Sequence, residues 1–328
     1  MIKRKINSLV SICLIAVIVL SGCNGNNTDE NSSDDTLTIG INQLAEHPAL
    51  DGARKGFEDG LKELGVNVKI DYQNAQADIP TSLSISQKFA RDNVDLIYTI
   101  GTAAAQSAKQ STSDIPILFS AITDPVSAGL VDTMEKPGGN ITGTSDESPI
   151  AKQLQIFKDL DKNIKKIGII FNTNEENSSS QVEKAKKVAK ELDLEIVDKG
   201  IATISDIPQT VDSLIKNVDG IYTIADNMVA SGINIVSEKA TKNNLITVGA
   251  EDAHVKGGIL ISDGISYYEL GKQTAHMAKE ILIDGKSPSD IPSSTSENTK
   301  KFFNINTLEQ LGLDKENTTF KDAKEIGK

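Results

Sequence analysis

The chain has no tryptophan, three histidines and two cysteines, and only 4% of its 328 residues are aromatic. Both cysteines, Cys13 and Cys23, lie near the N-terminus, so the body that follows has no disulfide and no cysteine-held metal. His47, His254 and His276 show no metal-ligand spacing, and His276 falls within a helical pattern, where it reads as a surface or packing residue. The cluster Gly138-Gly139-Asn140-Ile141-Thr142-Gly143 is not followed by the Gly-Lys-Ser/Thr of a phosphate loop. No Gly-x-Ser-x-Gly elbow is present either. Without a nucleophile elbow, a nucleotide cradle or a metal set, neither an enzyme nor a cofactor protein is expected. Positive charge is also short: the formal net charge is -12, which argues against nucleic acid, a partner that demands a cationic face.

The N-terminus is read before any fold. Lys3, Arg4 and Lys5 precede an apolar run from Leu9 to Leu20 that is shorter than a membrane span of about 20 residues. It ends in Leu20-Ser21-Gly22-Cys23, which resembles a bacterial lipobox. Residues 1–22 are therefore expected to be a lipoprotein signal peptide, with Cys23 the acylated (palmitate-bearing) residue. Residues 23–36 contain almost no apolar side chain and read as a flexible tether. The expected location is the extracytoplasmic face of the bacterial membrane, anchored by lipid rather than spanning it.

From Leu37 onward, β-branched runs alternate with amphipathic helical patterns, the signature of βαβ units and parallel sheets. Leu37-Thr38-Ile39-Gly40-Ile41 reads as a strand, and Ala53, Phe57, Leu61 and Leu64 recur at helical spacing before Gly65. The programme then restarts at Lys166-Ile167-Gly168-Ile169-Ile170-Phe171. Val218-Asp219-Gly220-Ile221-Tyr222-Thr223-Ile224 differs at one position from the run that begins at Val94, and Ile167-Gly168-Ile169 echoes Ile39-Gly40-Ile41 at a similar offset. Repetition of element order along with sequence predicts a duplicated domain: an α/β protein of two Rossmann-like lobes with parallel sheets. A C-terminal segment, with a strand at 258–262, a long helix carrying Leu270, Ala278, Ile281 and Leu282, and a strand at 302–305, belongs to neither repeat. It is expected to cross between the lobes as part of a multi-segment hinge.

In open α/β sheets, ligands lie beyond the carboxyl ends of the strands. The strand-exit loops supply Gln43, Glu46 and His47, then Thr102 and Ala103, then Thr123 and Asp124. In the second repeat they supply Asn172, Glu175, Asn177 and Ser178, then Asp226 and Asn227, then Glu251. Two facing polar rims suit a small ligand held in a cleft. Thr102, Asn177 and Ser178 read equally as helix N-caps, and helix N-termini also offer N–H groups to a ligand carboxylate. Glu175, Asp226 and Glu251 are either solvated loop acids or partners for a ligand ammonium, with Asp226 and Glu175 the better candidates. Tyr72, Tyr98 and Tyr222 lie within strands, where burial is expected. A sugar site is weakened by the shortage of aromatic rings.

Five separated stretches carry a resemblance. They are Glu46-His47-Pro48-Ala49-Leu50-Asp51, Thr123-Asp124-Pro125-Val126, residues 172–178, Asp226-Asn227-Met228-Val229-Ala230-Ser231 and Tyr267-Tyr268-Glu269-Leu270-Gly271-Lys272-Gln273-Thr274. Together they resemble the substrate-binding lipoproteins of ABC importers, of the tryptophan/tyrosine type. The resemblance implies a periplasmic-binding-protein type I fold, with one lobe from 37–145 plus 266–292 and the other from 146–265 plus 293–318. It also implies a small amino acid, aromatic by expectation, held between the lobes, and as partners a membrane permease and, through it, a cytoplasmic ATPase. A lipid-anchored sensor, or a binding protein for a sugar or nucleoside, is the alternative.

Overall fold

Short apolar runs bounded by glycine and polar turns become strands buried on both faces, and the amphipathic stretches between them become the covering helices. The computed structural model describes residues 36–296 and 299–327, so the signal segment, Cys23 and the tether as far as residue 35 lie outside the described residues. The first repeat runs β1 (Leu37–Gln43), α1 (Pro48–Glu63), β2 (Val68–Asn74), α2 (Ile79–Arg91), β3 (Leu96–Ile100), α3 (Thr102–Ser111), β4 (Ile117–Ile122) and β5 (Ile141–Ser145). The second runs α4 (Ile150–Leu160), β6 (Lys166–Asn172), α5 (Glu176–Glu191), β7 (Glu195–Ile201), α6 (Ile207–Leu214), β8 (Gly220–Thr223), α7 (Asn227–Ser231), α8 (Ile233–Lys242), β9 (Ile246–Glu251), α9 (Asp252–Lys256) and β10 (Ile261–Ile265). The tail adds α10 (Tyr267–Leu282), β11 (Ser294–Thr295), β12 (Lys300–Asn304), α11 (Ile305–Gln310) and β13 (Lys324–Ile326). Among the described residues no helix is long and apolar enough to cross a membrane.

The first sheet has the order β2-β1-β3-β4-β5-β11 and the second β7-β6-β8-β9-β10-β12-β13. The first five strands of each follow one order, so the duplication read from sequence is a duplication of topology. Pairing is parallel except where β12 runs antiparallel to β10. Even a packing detail repeats. A Cβ on Gly40 of β1 would lie 2.6 Å from the Phe89 ring of α2, and one on Gly168 of β6 would lie 2.7 Å from Leu214 of α6. At both places a helix side chain sits directly on the strand backbone. Two apolar clusters cover the faces of each sheet, with Phe57, Tyr98 and Leu118 in one and Phe157, Tyr222 and Ile169 in another. Burial of each such side chain contributes about 1.5–3 kcal/mol.

The chain passes between the sheets after Ser145, after Ile265, and between Thr295 and Lys300. The third passage corrects the expectation that residues from 293 onward join the second lobe. β11 pairs with β5 in the first sheet, with Ser294 beside Thr144. Thr142 Oγ1, bonded to the Ile291 carbonyl at 2.8 Å, holds this segment down. α10 returns to the first lobe and packs on α1 through small residues. A Cβ on Gly56 would lie 1.9 Å from the Tyr268 carbonyl, and one on Gly271 would lie 2.0 Å from the Ala53 carbonyl. The hydroxyls of Ser120, Thr144 and Thr274 join α10 to β4 and β5 in a buried triangle with edges of 2.6–2.9 Å.

Some local expectations shift. The strand expected at 258–262 begins only at Ile261, because Gly258 turns at φ +102 and Leu260 donates its N–H to Thr247 Oγ1. Tyr98 and Tyr222 are fully buried, but Tyr72 is 37% exposed. It stands on edge strand β2, with the Arg54 guanidinium 4.4 Å over its ring.

Candidate functional site

The carboxyl ends of the two sheets face each other across a cleft of about 370 Å³. The first lobe lines it with Leu44 after β1, Ala77 and Ile79 after β2, and Thr102 and Ala103 after β3. The second lobe contributes Asn172, Glu175 and Asn177, then Ala202 and Ile204 after β7, and Asn227 and Met228 of α7. Ile79 and Ile204 are 54% and 50% exposed, among the few large apolar side chains left in water, and they border the same cleft from opposite lobes. Through Asn177 and Asn227 the cleft adjoins an inner cavity of about 10 Å³, room for one water-sized group, lined also by His47, Leu50, Ala121, Asp146, Asp226 and Tyr267. Ala121 holds φ +60 at a register shift in β4, a left-handed strain typical of residues that shape a site.

Helix N-termini define the polar chemistry. α3 begins after Gly101, which at φ +101 has no side chain to cap the N–H groups of the first turn. α5 begins after Glu175, whose carboxylate does not cap it. That carboxylate turns to α7 instead, accepting the N–H groups of Asn227 (3.2 Å) and Met228 (3.3 Å). It also accepts from Asn172 Nδ2 (2.9 Å) and Asn227 Nδ2 (2.6 Å). Asp226 caps the same helix, accepting from Val229 N at 2.8 Å, and its second oxygen accepts from Asn172 N at 2.6 Å. The N-terminus of α7 is thus saturated by its own lobe, and those of α3 and α5 are open. Burial, and then the neighbouring Glu175, push the Asp226 carboxyl up to about 6.

A second polar group lies at the hinge. Asp146 follows β5 at the first passage, is 3% exposed, and accepts from the Tyr267 hydroxyl at 2.5 Å. Tyr267 opens α10 at the second passage, so this bond ties two hinge segments together. Burial pushes Asp146 up to about 6. His47 reaches across the lobes, with Nε2 3.1 Å from Asn227 Oδ1, and burial pushes its imidazole below the ordinary value. Glu251 and His254 stand behind them, buried, with Oε1 and Nε2 3.0 Å apart. His254 Nδ1 contacts Thr223 Oγ1 at 3.0 Å. Other links between the lobes include Gln106 Nε2 donating to Glu176 Oε2 (3.4 Å), Gln181 Nε2 donating to Thr123 Oγ1 (3.5 Å) and Lys184 near both Asp124 (3.7 Å) and Glu147 (3.2 Å).

Of the residues expected at the site, His47, Thr102, Ala103, Asn172, Glu175, Asn177, Asp226 and Asn227 meet at the cleft or its inner cavity. Ser178 is buried in the first turn of α5 beside Asp226. The remainder do not line either space, though Glu251 stands behind His47 and Tyr267. Gln43 is buried against α1, donating to Asp51 at 2.8 Å. Glu46 is exposed. Thr123 is buried, its carbonyl accepting from Ser145 Oγ and its hydroxyl facing Asp146 and, across the lobes, Gln181 Nε2 (3.5 Å), and Asp124 closes a turn on Ser127. The cap positions also differ from expectation: Thr102, Asn177 and Ser178 lie inside the first turns, and Gly101 and Glu175 hold the cap positions. The residues not named for the site are Asp146 and Tyr267, and the apolar wall of Leu44, Ile79, Ala202, Ile204 and Met228, although Tyr267 and Met228 fall within the stretches that carry the resemblance.

Comparison with known proteins places this geometry. The family described as ABC transporter substrate binding protein matches residues 38–326. A tyrosine-binding protein of Clostridioides difficile (strain R20291) is 44% identical over 96% of this chain and 94% of its own. A Streptococcus pneumonia structure in complex with L-Trp is 33% identical, covers 89% of this chain and 99% of its own, and superposes with a TM-score of 0.84. A ligand-free, open structure of a substrate-binding protein with adhesive properties from Clostridium difficile is 43% identical with the same coverage, yet its TM-score is 0.70. Sugar- and inositol-binding proteins at 14–17% identity share the two-lobed fold, with TM-scores of 0.59–0.61.

Proposed function

The chain belongs to the ABC transporter substrate-binding proteins, a non-enzymatic family, and from that premise we propose that it captures an aromatic amino acid, tyrosine or tryptophan, between its lobes. The observation that carries the ligand class is the pairing of an uncapped helix N-terminus with apolar walls in one cleft. Thr102 and Ala103 offer N–H groups and the positive end of α3 to a carboxylate. Leu44, Ile79, Ile204 and Met228 give a ring an aliphatic slot. The names of the two amino-acid-binding relatives support the same class.

The mechanism is a shift of population between open and closed lobes. Better agreement with the L-Trp complex than with the more identical open structure supports a closed arrangement here. Ligand favours closure only through contacts it gains when the second lobe arrives. On this reading the lobes are the two sheets with their helices, residues 37–145 plus 266–295 and 146–265 plus the remaining tail. Cys23 carries the lipid that keeps the protein at the outer face of the membrane. The closed form presents the captured amino acid to a permease driven by a cytoplasmic ATPase.

Titration calorimetry of the protein with each amino acid, with sugars and with nucleosides tests the reading. Heat from tyrosine or tryptophan and none from the other classes is expected. A response confined to sugars or nucleosides refutes the ligand class.

A further inference from the structure

We propose that Asp146 Oδ1 and His47 Nδ1 together form the clamp for the ligand's ammonium group, in place of Asp226 and Glu175. The inference rests on the amino-acid reading above and deepens it. Its starting point is the orientation of Asn227. Glu175 accepts from Asn227 Nδ2 at 2.6 Å, which turns Asn227 Oδ1 toward His47. An amide oxygen only accepts, so His47 Nε2 is the donor in that contact. The imidazole is neutral, since burial disfavours its charged form. Nδ1 is then a bare lone pair, buried and without a hydrogen-bond partner. Asp146 shows the same condition: Tyr267 occupies Oδ2, and Oδ1 is buried and makes no hydrogen bond, with the Thr123 hydroxyl the carboxylate's other polar neighbour.

Both residues line the inner cavity. A buried acceptor left unmatched carries its full desolvation penalty, and here two acceptors border one space the size of a single water. The group that satisfies both is a pure donor, and beside a carboxylate a cationic one. An ammonium has three N–H donors and that size. Asp226 and Glu175 are the poorer candidates because each already accepts backbone N–H groups from α7 or β6. Glu251 Oε2 is also unpartnered, but Glu251 does not line the cavity. A metal ion is disfavoured, since no group of three or more His, Cys, Asp or Glu among the described residues is arranged to hold one. The ammonium would enter the inner cavity while the ring stays in the larger outer cleft.

The test compares L-tyrosine with its des-amino analogue, 3-(4-hydroxyphenyl)propanoate, on the wild-type protein and on Asp146→Asn. Asparagine keeps the shape and an acceptor for Tyr267. Calorimetry is expected to show wild type preferring tyrosine by about 10- to 100-fold, and Asp146→Asn narrowing that preference to about 3-fold or less by weakening tyrosine alone. His47→Ala should narrow it in the same direction. Equal weakening of both compounds would mean a structural role for Asp146 and would overturn the clamp, as would an unchanged preference. A zinc- or calcium-induced rise in unfolding temperature that Asp146→Asn abolishes would overturn it in favour of a metal. If neither tyrosine nor tryptophan binds wild type, the aromatic reading fails first. The clamp is then judged on whichever amino acid binds, against its own des-amino analogue, and binding of none overturns both. Should Asp146→Asn fail to fold, the wild-type preference and His47→Ala decide.

Discussion

Replacing Asp226 with alanine separates a ligand contact from a helix cap. The carboxylate is 2% exposed and accepts Val229 N at 2.8 Å and Asn172 N at 2.6 Å. Loss of an N-cap costs about 1 kcal/mol. Leaving the Asn172 N–H buried without an acceptor adds about 1–3 kcal/mol. The sum, about 2–4 kcal/mol, corresponds in a chain of this length to a fall in melting temperature of about 3–7 °C. Calorimetric unfolding without ligand reads it directly, with urea midpoints as a second measure. Asp226→Asn keeps an acceptor for one of the two N–H groups and should lose about half as much. An unaltered melting temperature in Asp226→Ala, together with abolished tyrosine binding, would refute the cap assignment and restore Asp226 to the ligand.

Other substitutions probe the frame. Gly56→Ala drives a methyl into the Tyr268 carbonyl and should cost about 3 kcal/mol or more in urea unfolding. Gly65→Ala, with open space but φ +70, should cost only about 1–2 kcal/mol. Asp146 and Asp226 are both held up at about 6, above their unfolded values near 4. Each therefore contributes stability that is complete below about pH 4 and is lost as pH rises through 6. Denaturation across pH 3.5–7 should show this loss relative to Asp146→Asn, in which the Asp146 contribution disappears. Lys184→Ala removes a cross-lobe contact to Asp124 from a side chain already 36% exposed. Stability should change by less than about 1 kcal/mol, and the radius of gyration in ligand-free small-angle scattering should rise.

Much of the frame was legible because it is written in local periodicity. The near-identity of the two Ile-Tyr-Thr-Ile strands, and of Ile39-Gly40-Ile41 with Ile167-Gly168-Ile169, announced a repeated sheet order, which the structure shows. The strand-exit rule brought His47, Thr102, Asn172, Asn177 and Asp226 to one cleft. Their roles were not legible, because a carboxylate beside a helix start looks the same in sequence whether it caps that helix or meets a ligand. Only the N–H groups around Asp226 and Glu175 decide. Asp146 escaped notice for a different reason. Its hydrogen-bond partner is Tyr267, 121 positions away in sequence, and no window along the chain brings the two together. Nor did periodicity reveal Ile79 and Ile204, which look like ordinary helix-start residues until the two lobes oppose them.

The duplication also has a consequence for how the two halves divide their labour. Gly101 and Asp226 stand at corresponding ends of β3 and β8, each at the cap position of the helix that follows. One copy left that position bare, and the other filled it with a carboxylate of its own. The end of α7 is in this sense self-liganded: Asp226 fills with a carboxylate the cap position that Gly101 leaves bare at α3. The two lobes therefore present unlike helix ends to one cleft, which gives it a head and a tail.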